Sequence, residues 1–324
     1  MRVELPGLFD LQVNGFGGVD FNAPDLTADR VDEALALMRA TGVTRCLPTI
    51  ITSSFNQFAA AARVLARSPD AAIAGIHMEG PYVSPEDGAR GAHPRPHVIA
   101  ANIDDFKRRQ DAAGGRIVLV TLAPEVTGAV SLIDHLMVAG VRAALGHTAA
   151  TPQQISDAVS AGATLATHLG NGCAQMLPRH PNVIWELLAA DAVSATLIVD
   201  GHHLPPSTVK AMVRAKGAGR TILVTDATAA AGSAPGRYRI GAVDCELGED
   251  GRVSLPGTPY LAGSSLTMDR AIANAVRFTG LPLEAVVSMA STNAAAAVGM
   301  TTAGTVIADW DATAGGLQVR AVTP

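Results

Sequence analysis

Leu145-Gly146-His147-Thr148 and Ala166-Thr167-His168-Leu169-Gly170-Asn171-Gly172 decide how this chain is read. Each histidine follows a short apolar run, Val141–Leu145 in the first case and Ala163–Thr167 in the second. Pro152–Ala161 between them reads as one helix, so the stretch is a strand–helix–strand unit. The two strands of such a unit run parallel, and each ends in an imidazole at the same sheet edge. Two neutral imidazoles that converge there suit a divalent transition metal. The competing account is two unrelated polar residues in loops, and the rest of the chain weighs between them.

Working outward, short apolar runs alternate with amphipathic stretches from end to end. Leu8–Val13, Thr44–Ile51, Ala72–His77 and Ile117–Leu122 read as strands before the histidine pair, and Ala195–Val199 and Thr221–Thr225 after it. Asp29–Ala40 carries Val31, Leu35 and Met38 at helical spacing. Phe55–Ala66, Asn102–Ala113, Ala129–Ala139, Pro205–Lys216 and Leu266–Phe278 read as further helices. Eight such repeats predict an α/β fold, a (β/α)8 TIM-type barrel with polar groups gathered at the C-terminal ends of its strands. A doubly wound open sheet is the alternative. The strand number, and the polar residues that recur after nearly every strand, favour the barrel. Gly232–Thr258, with alternation at Tyr238–Val243 and a turn at Glu249-Asp250-Gly251, predicts a β-hairpin insertion after strand 8.

The chain has 324 residues, 48% of them hydrophobic and 16% charged, enough for one large buried core. A net charge of -5 with scattered basic residues gives no case for nucleic acid or membrane as a partner. Cys46, Cys173 and Cys245 lie far apart, which excludes a thiolate zinc motif and a disulfide framework. Reduced thiols and the lack of an apolar segment after Met1 predict a cytoplasmic protein.

The polar residues that follow the strands carry the chemistry. Gln12 and Asn14 follow the first, His77 and Glu79 the third, His147 and His168 the fifth and sixth, Asp200-Gly201-His202-His203 the seventh, and Asp226 the eighth. One carboxylate and two histidines from separate strand ends make a three-ligand site with an open position for water. A further carboxylate such as Asp226 can take a proton from that water and pass it to a leaving amine. Taken singly, Glu79 reads equally as a salt-bridge or capping residue, and Asp226 as a helix N-cap.

The chain resembles the N-acetylglucosamine-6-phosphate deacetylase family of the amidohydrolase superfamily. The resemblance rests on Pro6–Gly15, Gly75–Tyr82, Gly91–Pro94, Leu145–Thr148, Thr167–Leu169, Asp200–His203, Val224–Ala227 and Leu261–Met268, which recur in the family's order. It implies a metal held by Glu79, His147 and His168, one divalent ion (Zn²⁺ or Fe²⁺) per subunit. It implies Asp226 as general base and acid, and His203 as a substrate contact that polarises the acyl carbonyl. It places His93, Asn171 and Gly172 on the sugar, with Leu261, Ala262 and Gly263 closing the site. It also implies a homodimer in which an arginine near the partner's site binds the phosphate; Arg179 is the nearest match. The expected reaction removes the acetyl group from an N-acetylated amino sugar, N-acetylglucosamine 6-phosphate first among them. The alternative is deacylation of another N-acyl amine or N-acyl amino acid.

Three departures bear on that expectation. Gln12-Val13-Asn14 stands where many amidohydrolases have His-x-His, and amides are poor ligands beside imidazole, so one principal metal is expected. Asn171–Asn182 differs from the family's phosphate-binding segment. The first barrel strand begins almost at Met1, so the family's small β-sandwich is expected to be reduced or absent. Residues 1–300 are then the barrel and 301–324 a C-terminal remnant of the β-domain.

Overall fold

The computed structural model describes residues 1–313 and 315–323. The chain enters through β1 (Arg2–Pro6) and β2 (Leu8–Val13), then makes a short ribbon, β3 (Gly15–Phe16) and β4 (Val19–Asp20). Seven more strands follow, each reached through a helix: β5 (Val43–Ile51), β6 (Ile76–Glu79), β7 (Ile117–Leu122), β8 (Arg142–Leu145), β9 (Leu165–Ala166), β10 (Ser194–Leu197) and β11 (Thr221–Leu223). With β2 they form one parallel sheet in the order β11-β10-β9-β8-β7-β6-β5-β2. The helices turn apolar faces onto it, as Val31, Ala34, Leu35 and Met38 do from Ala28–Arg39. Local signals set their starts: Ser54 with Gln57, and Thr151 with Gln154, form capping boxes.

The eight-stranded sheet curls into a (β/α)8 barrel, and its seam is unusual in kind. No ladder joins β11 to β2. The chain just beyond β11 makes the join instead: Asp226 N donates to Gln12 O at 2.9 Å, and Asn14 N donates to Ala227 O at 2.7 Å. Deeper in, the Asp10 carboxylate accepts from the backbone N–H groups of Thr225 and Gln12, both at 3.2 Å, and from the Thr225 hydroxyl. A buried side chain thus supplies the acceptor that a neighbouring strand supplies elsewhere in the sheet.

The third barrel strand departs from the sequence expectation of Ala72–His77. Ala72–Ala74 makes only a local bridge with Cys46, through Cys46 N to Ala72 O at 2.7 Å and Ala74 N to Cys46 O at 3.0 Å. The ladder with β5 and β7 belongs to Ile76–Glu79. Glu79 therefore ends a strand and takes its direction from the sheet.

The insertion after β11 is a three-stranded antiparallel sheet of β12 (Gly236–Ile240), β13 (Val243–Leu247) and β14 (Val253–Ser254). The alternating run Tyr238–Val243 is not one strand: it turns at Gly241, whose φ of 57° suits glycine. The Asp20 carboxylate accepts from Gly241 N at 2.7 Å and ties the insertion to β4. At the far end, β15 (Thr305–Asp311) and β16 (Gly316–Thr323) form a hairpin, and β1 pairs antiparallel with β15. The sequence reading passes over β1 because five residues with only Val3 and Leu5 facing inward give too short a pattern. β1, β15 and β16 thus form one three-stranded antiparallel sheet. Among the described residues no helix is long and apolar enough to cross a membrane.

Asp10 generates a test of the seam. Burial raises its carboxyl from the ordinary 3.8 to about 6. A raised value in the folded state means that this group favours folding most below about pH 4, and that the contribution is lost as the pH rises through 6. Asp10→Asn, which keeps one oxygen to accept from both N–H groups, should flatten that part of the stability–pH curve. Asp10→Ala, which strands buried N–H groups, should lower unfolding stability by about 2–4 kcal/mol in denaturant melts.

Candidate active site

His147, His168 and Asp226 are the non-glycine residues with positive φ among the described residues, at 51°, 30° and 49°. Left-handed backbone costs a non-glycine residue of the order of 1–3 kcal/mol and persists where surroundings over-determine it. All three sit just past a barrel strand, at the C-terminal end. The twist there swings each side chain over the barrel mouth.

Glu79 joins them from the end of β6. Its Oε1 lies 3.2 Å from His147 Nε2 and 3.0 Å from His168 Nε2, and the two Nε2 atoms are 3.1 Å apart. All three residues are buried. Hydrogen bonding fixes what His147 presents. Its Nδ1 lies 3.1 Å from Ala89 O, and a carbonyl only accepts, so the neutral ring carries its proton there. The lone pair on Nε2 then faces the carboxylate and the second imidazole. Electron pairs aimed at one point need a cation between them, and two imidazoles with one carboxylate are a donor set for a divalent metal. Burial opposes ionisation of Glu79, yet its close contacts with the imidazoles of His147 and His168 hold its carboxyl well below the usual range.

A hydrogen-bonded floor supports this group. His77 Nδ1 donates to Leu11 O at 3.1 Å, so Nε2 accepts from the Thr121 hydroxyl at 2.7 Å. Thr121 Oγ1 in turn lies 2.7 Å from Thr167 Oγ1, beside His168. Burial pushes His77 down to about 4, which keeps it neutral beneath the site. His93 closes one side: its Nε2 is 3.1 Å from His147 Nε2 and its Nδ1 is 2.8 Å from Thr52 Oγ1. Burial, then the neighbouring His147, lower His93 to about 3.

Asp226 faces Glu79 across the mouth. Its Oδ1 accepts from Asn14 Nδ2 at 2.7 Å and from Gln12 Nε2 at 3.2 Å, and the same Gln12 nitrogen donates to Glu79 Oε1 at 2.9 Å. The amide pair that replaces His-x-His therefore works as a set of donors that fixes both carboxylates. Burial, then the Glu79 charge, raise Asp226 to about 7. Opposite, His203 Nδ1 lies 2.7 Å from Asp200 Oδ2, and Asp200 Oδ1 accepts from the backbone N–H groups of His202 and His203. Burial opposes the Asp200 charge, but the His203 contact lowers its pKa. Sequence reasoning quotes Asp200 in its motif yet gives it no work. Its signal is the Asp-x-x-His spacing, which lets a side chain bond both the backbone and the ring.

These groups open into a cleft of about 1060 Å³. Glu79, His93, His147, His168, Asn171, Gly172, His203, Asp226 and Leu261–Gly263 all line it. Gly172 has to be small: a Cβ there would stand 2.9 Å from His147 Nδ1, and its φ is 59°. Arg179 is exposed and does not line the cleft of its own chain. Arg90 and Arg252, which sequence reasoning passes over, do.

Comparison with known proteins agrees with this geometry. The profile of the amidohydrolase family matches residues 3–314. The N-acetylglucosamine-6-phosphate deacetylase of Lysinibacillus sphaericus is 35% identical over 319 residues, covering 96% of this chain and 80% of that protein. The N-acetylgalactosamine-6-phosphate deacetylase of Escherichia coli O157:H7 is 33% identical over 303 residues, covering 91% and 78%. The crystal structure of N-acetyl-D-glucosamine-6-phosphate deacetylase from Mycobacterium smegmatis superposes with a TM-score of 0.91 at 34% identity, covering 99% of this chain and 86% of that one. A mutant of the same enzyme in complex with N-acetyl-D-glucosamine-6-phosphate also gives 0.91. The chain belongs to the amidohydrolase family and, within it, to the N-acetylglucosamine-6-phosphate deacetylases.

Proposed function

We propose that this protein is a metal-dependent hydrolase that removes the acetyl group from N-acetylglucosamine 6-phosphate, giving glucosamine 6-phosphate and acetate. One observation carries the reading: Glu79, His147 and His168 converge at the mouth of a sugar-sized cleft, with the buried Asp226 facing them. The names of the relatives and the ligand in the superposed complex support the same reaction.

Glu79, His147 and His168 would hold one divalent ion, and two imidazoles with a carboxylate suit Zn²⁺ or Fe²⁺. That ion supplies Lewis acidity, which makes water nucleophilic near neutral pH. Asp226 is the general base: Asn14 and Gln12 occupy its Oδ1, which leaves Oδ2 free to take the proton of the attacking water. It then returns that proton to the amide nitrogen, and the amine leaves as the C–N bond breaks. A cation next to Glu79 favours the ionised form of Asp226 that the first step needs. Asp200 orients the His203 ring through Nδ1, and the imidazolium form of that ring donates from Nε2 to the carbonyl oxygen as negative charge develops there. His93, Asn171, Gly172 and the Leu261–Gly263 backbone orient the sugar.

The second reading, deacylation of another N-acyl amine or N-acyl amino acid, is favoured by the altered Asn171–Asn182 segment and by the position of Arg179. A homodimer would let Arg179 reach a partner's phosphate, and Met176 and Trp185, 91% and 57% exposed nearby, supply apolar surface for it. Three unpaired cysteines support a cytoplasmic site of action. The chain divides into a barrel, residues 1–300, and a β-domain remnant, residues 301–324, onto which β1 pairs.

Acetate release, measured across phosphorylated and unphosphorylated N-acetyl sugars and N-acyl amino acids, should be fastest with N-acetylglucosamine 6-phosphate; faster release from an N-acyl amino acid selects the second reading. Asp226→Asn should keep its metal by elemental analysis while kcat falls about 10²–10⁴-fold; turnover near wild type removes Asp226 from the proton shuttle. Chelation should abolish acetate release, and Zn²⁺ or Fe²⁺ should restore it. Full activity in thoroughly metal-depleted protein would contradict the metal-dependent reading.

A further inference from the structure

His147 is only as well aimed as the backbone that follows it. β8 ends at Leu145, and the next helix starts at Pro152. Residues 146–151 between them lie in neither strand nor helix, so no ladder holds the turn that carries the imidazole. Its φ of 51° has to be maintained from outside. The peptide between His147 and Thr148 is fixed at both ends: Ser84 N donates to His147 O at 2.9 Å, and Thr148 N donates to Gly172 O at 3.1 Å.

The next link is a side chain that the proposed chemistry does not use. Glu125 reaches over from the loop after β7 and engages both carboxylate oxygens. Its Oε2 accepts from the Thr148 hydroxyl at 2.5 Å, and its Oε1 accepts from Ala149 N at 2.7 Å. A carboxylate only accepts, so the Thr148 hydroxyl gives its proton to Glu125, and its oxygen is left to accept from Ala150 N at 3.0 Å. Thr148, Ala149 and Ala150 are thus tied through one carboxylate. Hydrogen bonds to a carboxylate are roughly twice as strong as those between neutral groups. Thr148 is buried and Glu125 half-buried, and Glu125 does not line the cleft.

We infer that Glu125 is a positioning residue: it clasps the backbone beyond His147, keeps that imidazole aimed at the point shared with Glu79 and His168, and thereby raises the affinity for the cation. It acts through Thr148 and Ala149 and touches neither the sugar nor the reacting atoms. For its cation this role rests on the metal-dependent reading; for the aim of His147 it rests on the hydrogen bonds alone.

The experiment measures Zn²⁺ affinity by chelator competition on the zinc-loaded enzyme, and acetate release at saturating Zn²⁺, in wild type, Glu125→Ala, Glu125→Gln, Thr148→Val and Gln154→Ala. Loss of the clasp predicts that Glu125→Ala weakens Zn²⁺ binding roughly 10- to 100-fold and lowers kcat with KM little changed. Thr148→Val, which removes one of the two bonds, should lose less. Glu125→Gln, whose amide can still accept from Ala149 N and donate to Thr148 Oγ1, should recover most of the affinity. Gln154→Ala loosens the far end of the same loop by breaking the capping box at Thr151, and should lower the melting temperature without changing Zn²⁺ affinity. Wild-type affinity in Glu125→Ala, equal losses in Glu125→Gln and Glu125→Ala, or equal losses in Gln154→Ala would overturn the inference. If Glu125→Ala does not fold, Thr148→Val and Glu125→Gln carry the same comparison. Wild type that binds neither Zn²⁺ nor Fe²⁺ defeats the metal-dependent reading instead. Crystal structures of the metal-free proteins then decide on Glu125: His147 Nε2 displaced in Glu125→Ala from its 3.2 Å contact with Glu79 Oε1 supports the clasp, and an unmoved ring overturns it.

Discussion

The barrel closes at Asp226. Its backbone N–H meets Gln12 O across the seam, and its carboxylate meets the side chains of Gln12 and Asn14. The strands on either side make no ladder of their own, so the join that completes the cylinder is also the join that places an acid opposite Glu79. Structure and chemistry share the same few hydrogen bonds. A mispaired seam would not simply loosen the barrel; it would separate Asp226 from the group it has to face.

The same economy appears in the backbone. His147, His168 and Asp226 are held in left-handed conformations that cost free energy, and the neighbouring contacts stabilise them. Ser84 N donates to His147 O at 2.9 Å, His168 N donates to Thr196 Oγ1 at 2.6 Å, and Ser264 N donates to Asp226 O at 2.9 Å. Each strained residue is thus pinned by a neighbouring segment: the loop after β6, strand β10 and the bridge at Ser264. Donors gathered in this way stay aimed at one point before a cation arrives, which limits the reorganisation that binding requires.

Much of this was legible in the chain, for identifiable reasons. The strand–helix alternation survives in sequence because each β-strand is a short apolar run and each helix has one buried face. His147 and His168 stand out because each falls just beyond such a run. Other parts leave weaker traces. The shift of β6 to Ile76–Glu79 depends on which residues ladder with β5 and β7, and Ala72–Ala74 is as apolar as the true strand. Asp10 reads as one more strand residue, although it closes the seam. The work of Gln12 and Asn14 as donors depends on where Asp226 lies, more than two hundred residues away in the sequence. Arg252 looks like a turn residue until the hairpin is folded over the cleft.

The proposed hydrolysis needs three side chains from separate strand ends to bind one cation, with Asp226 facing it. Anomalous diffraction from holoenzyme crystals, collected at the Zn and Fe absorption edges, measures this directly. One principal peak per chain is expected, about 2.0–2.2 Å from Glu79 Oε1, His147 Nε2 and His168 Nε2. A peak elsewhere, or no peak from protein that is fully active, would contradict it.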